Sequence, residues 1–129
     1  MTTTFDFGFG PVPAHRHPNG GGWVADTARV ADTAYIGPAA RVFGAALVRD
    51  NAVVTENAVV TDYAWVSGNA QVSGKAWVSG NAVVAENAQV YGNARVTDNA
   101  RVYGNAWVGC DAKVSGNARV GGNAEVTKH

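Results

Sequence analysis

An all-β, single-stranded solenoid is the fold class that the sequence predicts, and three observations carry the prediction. A β-branched residue stands at every sixth position from Val24 to Val126, and 17 of the 18 are valine, with Ile36 the exception. Alanine stands at every sixth position from Ala28 to Ala124, at all 17 places. No residue is inserted or deleted over this span. A fixed period of this kind is the sequence signature of a repeat architecture.

Each six-residue repeat (hexad) is predicted to form a short strand followed by a corner. The alanine and the valine two residues later lie on one side of an extended chain, so both are predicted to face the interior, and the residue between them faces outward. An α-helix is excluded because a period of six does not match 3.6 residues per turn. Asparagine tolerates left-handed backbone, so we expect the asparagine before the alanine to be the left-handed corner residue. Ten repeats carry it: Asn51, Asn57, Asn69, Asn81, Asn87, Asn93, Asn99, Asn105, Asn117 and Asn123.

Residues 1–22 do not follow the repeat and are predicted to form an N-terminal capping arm on the solenoid of residues 23–129. Phe5, Phe7 and Phe9 alternate with Asp6 and Gly8, which favours a strand with one apolar face. A solenoid end exposes unpaired backbone groups, and a cap covers them. At the C-terminal end the repeat stops without a comparable segment. A second chain is a candidate for covering that end.

Composition narrows the function classes. Ten Lys and Arg balance ten Asp and Glu, which argues against a nucleic-acid partner because such proteins carry a basic excess. No stretch is long and apolar enough for a membrane span, and the first residues lack the pattern of a secretion signal. The one cysteine, Cys110, rules out an internal disulfide and fits a reducing compartment. The sequence therefore predicts a cytoplasmic protein without a nucleic-acid or membrane partner.

The repeats V-S-G-N-A-Q, V-S-G-N-A-V and V-Y-G-N-A-R resemble those of the hexapeptide-repeat left-handed β-helix superfamily. The segment H-P-N-G-G-G-W-V at residues 17–24 resembles bacterial and phage-borne members that are often labelled acetyltransferases. The resemblance covers residues 23–128. It implies a left-handed parallel β-helix with three hexads per coil, hence a triangular solenoid of about six coils, each about 18 residues long.

The catalytic residues of that superfamily have no counterpart in the repeats. Acyltransferases of this type use a histidine base, and the γ-class carbonic anhydrases use three histidines that bind zinc, yet residues 18–128 contain no histidine. No inserted loop is present to carry catalytic residues. His15 and His17 stand two apart and are candidates for a metal pair, although zinc needs further ligands and cap packing is the alternative. We expect neither a catalytic residue nor a cofactor.

Outward residues at equivalent positions of successive coils are predicted to stack into columns. Leu47, Trp65 and Val83 form the apolar centre of one column, and Val59 and Trp77 lie together in another. Trp107 belongs to the third column. Contiguous exposed apolar residues around tryptophan favour an interface, whereas cross-strand packing is the simpler alternative.

The sequence leaves three functions open. The first is a non-enzymatic structural or interaction protein that self-associates, or binds another protein, through its faces or its open C-terminal end. The second is a hexapeptide-type acyltransferase whose site forms between subunits. The third is a module that binds glycans or small ligands through exposed aromatic residues.

Overall fold

Short β-strands, one per hexad, build the solenoid in the computed structural model, which describes residues 3–8 and 10–126. The strands are β1 (Thr4–Asp6), β2 (Pro11–Arg16), β3 (Trp23–Ala25), β4 (Arg29–Val30), β5 (Tyr35–Ile36), β6 (Arg41–Val42), β7 (Leu47–Val48), β8 (Val53–Val54), β9 (Val59–Val60), β10 (Trp65–Val66), β11 (Gln71–Val72), β12 (Trp77–Val78), β13 (Val83–Val84), β14 (Gln89–Val90), β15 (Arg95–Val96), β16 (Arg101–Val102), β17 (Trp107–Val108), β18 (Lys113–Val114), β19 (Arg119–Val120) and β20 (Glu125–Val126).

Three parallel sheets form the three faces of the solenoid. The first face contains β3, β6, β9, β12, β15 and β18; the second β4, β7, β10, β13, β16 and β19; the third β5, β8, β11, β14, β17 and β20. Strands that neighbour one another are three hexads apart in the chain, as in the pairing of Trp65 with Leu47 and with Val83. The predicted all-β solenoid of about six coils, each made of three hexads, is confirmed. The described residues include no helix long and apolar enough to cross a bilayer.

Valine and alanine fill the interior, as the spacing predicts. The repeat valines from Val42 to Val108 have no exposed surface, and neither do the alanines from Ala46 to Ala106. Ala118 and Ala124 are exposed, contrary to the expectation that all 17 alanines are buried. They belong to the last coil, and no coil of the described residues packs beneath them.

The left-handed corner residue is the one before the asparagine, so the assignment of that conformation to the asparagines is wrong. Positive φ occurs at every sixth residue from Gly44 to Gly122, and no asparagine is among these residues. Six of them are not glycine, and five of the six are acidic. Each of these five carboxylates accepts a hydrogen bond from the N–H of a glycine in the next coil. The pairs are Asp50 with Gly68, Glu56 with Gly74, Asp62 with Gly80, Glu86 with Gly104 and Asp98 with Gly116.

The asparagines have a different role, because several of them link successive coils through side-chain amides. Asn81 donates to Asn99 over 3.3 Å, and Asn99 donates to Asn117 over 3.4 Å. Stacked asparagine ladders of this kind stabilise parallel in-register strands. Asparagine therefore suits these corners because its side chain forms hydrogen bonds between coils, and not because its backbone adopts a positive φ.

The positive φ and the carboxylate hydrogen bond at these corners predict an unusual order of stability among variants of Asp62. Its φ of 61° favours glycine, and its carboxylate accepts a hydrogen bond from Gly80 N at 3.0 Å. Asp62→Ala keeps the backbone strain and loses the bond, so we expect it to be less stable than Asp62→Gly by about 1 kcal/mol. Thermal unfolding followed by circular dichroism measures the difference. Asn57 has no positive φ, so Asn57→Ala should be more stable than Asn57→Gly. If alanine and glycine variants show the same order of stability at both positions, this account is contradicted.

The N-terminal arm extends the first face with antiparallel strands. Strand β1 pairs with β2, and β2 pairs with β3 through Ala14–Ala25, His15–Val24 and Arg16–Trp23. The Phe5 ring stacks on Trp23, and the Phe7 ring stacks on Phe43, each at 4.7 Å between centroids. Phe9 lies outside the described residues. The arm thus pairs with the backbone of the first coil and covers aromatic side chains of the first two coils.

The residues between β2 and β3 continue this pairing onto the third face. Gly22 N donates to Ile36 O over 2.9 Å, and Ile36 N donates to Asn19 O over 3.0 Å. The arm therefore satisfies backbone groups at the first strand of two faces, β3 and β5.

Candidate interaction surface

The centre of the second face is an apolar column. Trp65 pairs in register with Leu47 on one side and Val83 on the other. The ladder beneath is regular: Trp65 N donates to Ala82 O, and Leu47 N donates to Ala64 O, both over 2.9 Å. Trp65 is 47% exposed, whereas Leu47 and Val83 are half-buried. The indole is thus held on a rigid sheet with an aliphatic side chain above and below it.

The first face carries a second exposed tryptophan, at the start of the next coil. Trp77 pairs with Val59 and is 45% exposed. Val59 is buried, with 8% exposed, because it lies between Arg41 and Trp77 in the column. Val59 therefore contributes packing beneath Trp77 and little accessible surface.

Tyr63 is an exposed aromatic residue at the corner between the first and second faces, and the sequence prediction missed it. It lies at the corner between β9 and β10, two residues before Trp65, and its side chain is 67% exposed. Asparagine occupies the same position in the three following coils, at Asn81, Asn99 and Asn117. The replacement of a corner asparagine by tyrosine was the signal available in the sequence. We call Leu47, Tyr63, Trp65, Trp77 and Val83 the aromatic patch.

The outward strand positions around the patch carry no charge. From Leu47 to Gln89, the outward residues of β7 to β14 are leucine, valine, tryptophan and glutamine on all three faces. Arginines stand beyond both ends of this band: Arg29 and Arg41 above it, and Arg95 and Arg101 below it. An apolar centre with a polar rim is the usual arrangement of a specific protein interface.

Trp107 does not belong to the aromatic patch. It lies on the third face between Gln89 and Glu125, and its ring meets Tyr91 edge-on at 6.0 Å between centroids. It is 44% exposed, close to the value for Trp65. The sequence predicted Trp107 as an interface residue, and in the structure it stands apart from Trp65 and Trp77, beside Gln89, Glu125 and Tyr91.

His15 and His17 have separate surroundings. His15 is exposed, and its Nδ1 lies 2.7 Å from Asp26 Oδ1. His17 is buried, and its Nε2 lies 2.9 Å from the carbonyl oxygen of Ala34. The two rings therefore hold the arm to the first coil at two different places. The described ranges contain no group of three or more His, Cys, Asp or Glu side chains placed to hold a metal ion.

The comparisons with known proteins bear on the fold alone. A family model described as the YdcK Beta solenoid repeat matches residues 88–99, which are two hexads of the repeat. Neither a curated protein nor a solved structure is similar enough to this chain to count as a match. The family model and the coil architecture together show a β-solenoid.

Proposed function

We propose that this protein is a non-enzymatic interaction protein that self-associates through the aromatic patch, on a left-handed solenoid of the hexapeptide-repeat type. The observation that carries the proposal is the exposure of Trp65, Tyr63 and Trp77 together, within a band that has no charged outward strand residue. Tryptophan and tyrosine dominate the binding energy of protein interfaces because each buries a large area at low cost in side-chain entropy.

The hexapeptide-repeat type is supported by the hexad and by the three strands per coil. Constant hexad length also keeps the faces free of inserted loops between Trp23 and Val126. Flat faces without insertions suit the packing of identical chains about a symmetry axis.

Charge supports a second copy as the occupant of the patch. The uncharged strand positions continue on the third face with Val53, Gln71 and Gln89, and the charged residues at this level, such as Asp62 and Lys75, stand at the corners. Two copies that meet band to band place no charged strand residue against a like charge. The arginines beyond the band then lie at the edge of the contact, where water screens them.

The test is the oligomeric mass of the Trp65→Asp variant, measured by light scattering at several concentrations. We expect a lower mass than that of the wild type, because a carboxylate at the centre of the patch would be buried unpaired in the contact. Circular dichroism should remain β-rich, since the outward side chain is not part of the core.

Trp107→Asp is the matched control, because Trp107 has the same residue type, strand position and exposure but lies outside the patch. Its mass should equal that of the wild type. Equal masses for wild type and Trp65→Asp would contradict the proposal. A monomeric wild type that binds a glycan array through Trp65 would instead favour the glycan-binding alternative.

A further inference from the structure

A groove on the second face begins at Val83, at the edge of the aromatic patch, and extends toward the last coils. It has a volume of about 230 Å³ and is lined by Val83, Arg101, Tyr103 and Arg119. One valine, one tyrosine and two arginines thus line a single depression. This combination differs from the patch, whose residues carry no positive charge.

The two arginines of the groove are stacked on each other. Arg101 pairs in register with Arg119 on adjacent parallel strands, and both are exposed. The ion pairs in the part of the chain that the structure describes, His15–Asp26 and Arg49–Asp50, involve neither residue. The nearest acid along the chain, Asp98, accepts a hydrogen bond from Gly116 N. Like charges directly opposite on neighbouring strands destabilise a sheet, so an anion between these two would relieve a repulsion.

The Tyr103 ring forms one wall of the groove, and its position depends on a glycine in the next coil. A Cβ atom at Gly121 would overlap the Tyr103 ring at Cε2 and Cζ. The phenol ring therefore occupies the space over Gly121 and extends along the coil that carries Arg119. The backbone of Gly121 does not have a positive φ, so alanine would be compatible with it except for this ring.

We propose that this groove binds a small oxyanion ligand, a phosphate or carboxylate attached to an apolar or aromatic body. The two guanidinium groups would bind the oxyanion oxygens through charge-assisted, bidentate hydrogen bonds. The body of the ligand would lie on Val83 and against the Tyr103 ring. This site shares Val83 with the aromatic patch, while its two arginines and Tyr103 lie outside the patch, so ligand binding and oligomeric mass are measured separately.

The first face supplies a comparison within the same molecule. Arg95 pairs with Lys113 at the same level of the solenoid, so this face also has two stacked cations. Neither of these residues lines the groove. A cation pair alone therefore does not make the proposed site; the wall formed by Tyr103 and the floor formed by Val83 are also required.

The experiment is a titration of the full chain, followed by calorimetry, with phenyl phosphate, benzoate, inorganic phosphate and phenol. We expect phenyl phosphate or benzoate to bind with a dissociation constant of about 1 mM or lower, as suits a ligand of this size. Phenol should bind far more weakly because it lacks the oxyanion. The preferred oxyanion tells whether the natural ligand is a phosphate or a carboxylate. High salt should weaken the binding.

Variants locate the site. Arg101→Gln and Arg119→Gln should each weaken binding about 10-fold or more, and Arg101→Lys should restore only part of it. Gly121→Ala should weaken binding by displacing the Tyr103 ring. Arg95→Gln is the matched control and should leave binding unchanged. The proposal is overturned if the wild type binds neither aromatic anion, or if Arg95→Gln weakens binding as much as Arg101→Gln; the oligomeric mass does not enter this result.

Discussion

Ala88→Leu is expected to lower the free energy of unfolding by about 1–3 kcal/mol or more, since it overfills a closed coil. Ala88 has no exposed surface, and the alanines at the same position in the coils above and below, Ala70 and Ala106, are equally buried. The interior at this level has room for a methyl group only, so a leucine must displace neighbouring valines or the backbone. Chemical denaturation followed by circular dichroism measures the loss.

Ala118→Leu is the matched control, because Ala118 holds the same position in the hexad but is exposed in the last coil. Its free energy of unfolding should change by less than about 0.5 kcal/mol. If Ala88→Leu is as stable as Ala118→Leu, the repeat alanines do not pack against one another inside the coils, and the account of the interior is wrong.

Deletion of residues 1–22 is expected to cause the second large effect, which is lower stability together with aggregation or end-to-end growth. The deletion removes β2 from the edge of β3 and uncovers Trp23 and Phe43, which pack against Phe5 and Phe7. Loss of these aromatic contacts should cost about 2 kcal/mol or more. The exposed edge of β3 then offers unpaired backbone groups to other chains. Size-exclusion chromatography and thermal unfolding measure the two effects.

A shorter deletion, of residues 1–10, separates the two contributions. It removes β1, with Phe5, and the following Phe7, but keeps β2 on the edge of β3. We expect this variant to be destabilised without growing end to end. A chain lacking residues 1–22 that stays as soluble and as stable as the full chain would show that the arm is not a cap, and a role in binding a partner would then be favoured.

The strand and the corner of each hexad were predictable because the hexad repeats without interruption, whereas three hexads per coil followed from the resemblance to the hexapeptide-repeat superfamily. Alternation of Ala and Val at a spacing of two determines which side chains face inward, and the period determines where each strand ends. The left-handed corner was misplaced because the conformational preference of asparagine does not decide which corner residue adopts the positive φ. In the structure the residue before it adopts the positive φ, and acidic residues such as Asp62 are stable there because a glycine N–H of the next coil binds their carboxylates.

On the surface, only the arrangement of the outward strand residues was predictable, because it depends on the strand register alone. Leu47, Trp65 and Val83 lie side by side because they are three hexads apart, which is the coil length that the resemblance implied. Tyr63 was missed because it stands at a corner rather than in a strand. The groove beside Arg101 depends on the Tyr103 ring lying over Gly121, which is a contact between coils. The same contact occurs between Tyr91 and Gly109, also three hexads apart, so a tyrosine followed by a glycine at that spacing was the signal in the sequence.

The mass of the wild-type chain in solution tests the central claim most directly. Light scattering from low to high micromolar concentration should give a multiple of the 13.3 kDa chain mass, and the Trp65→Asp variant should give a smaller value at each concentration. A wild type that stays at 13.3 kDa over the whole range would contradict self-association through the aromatic patch.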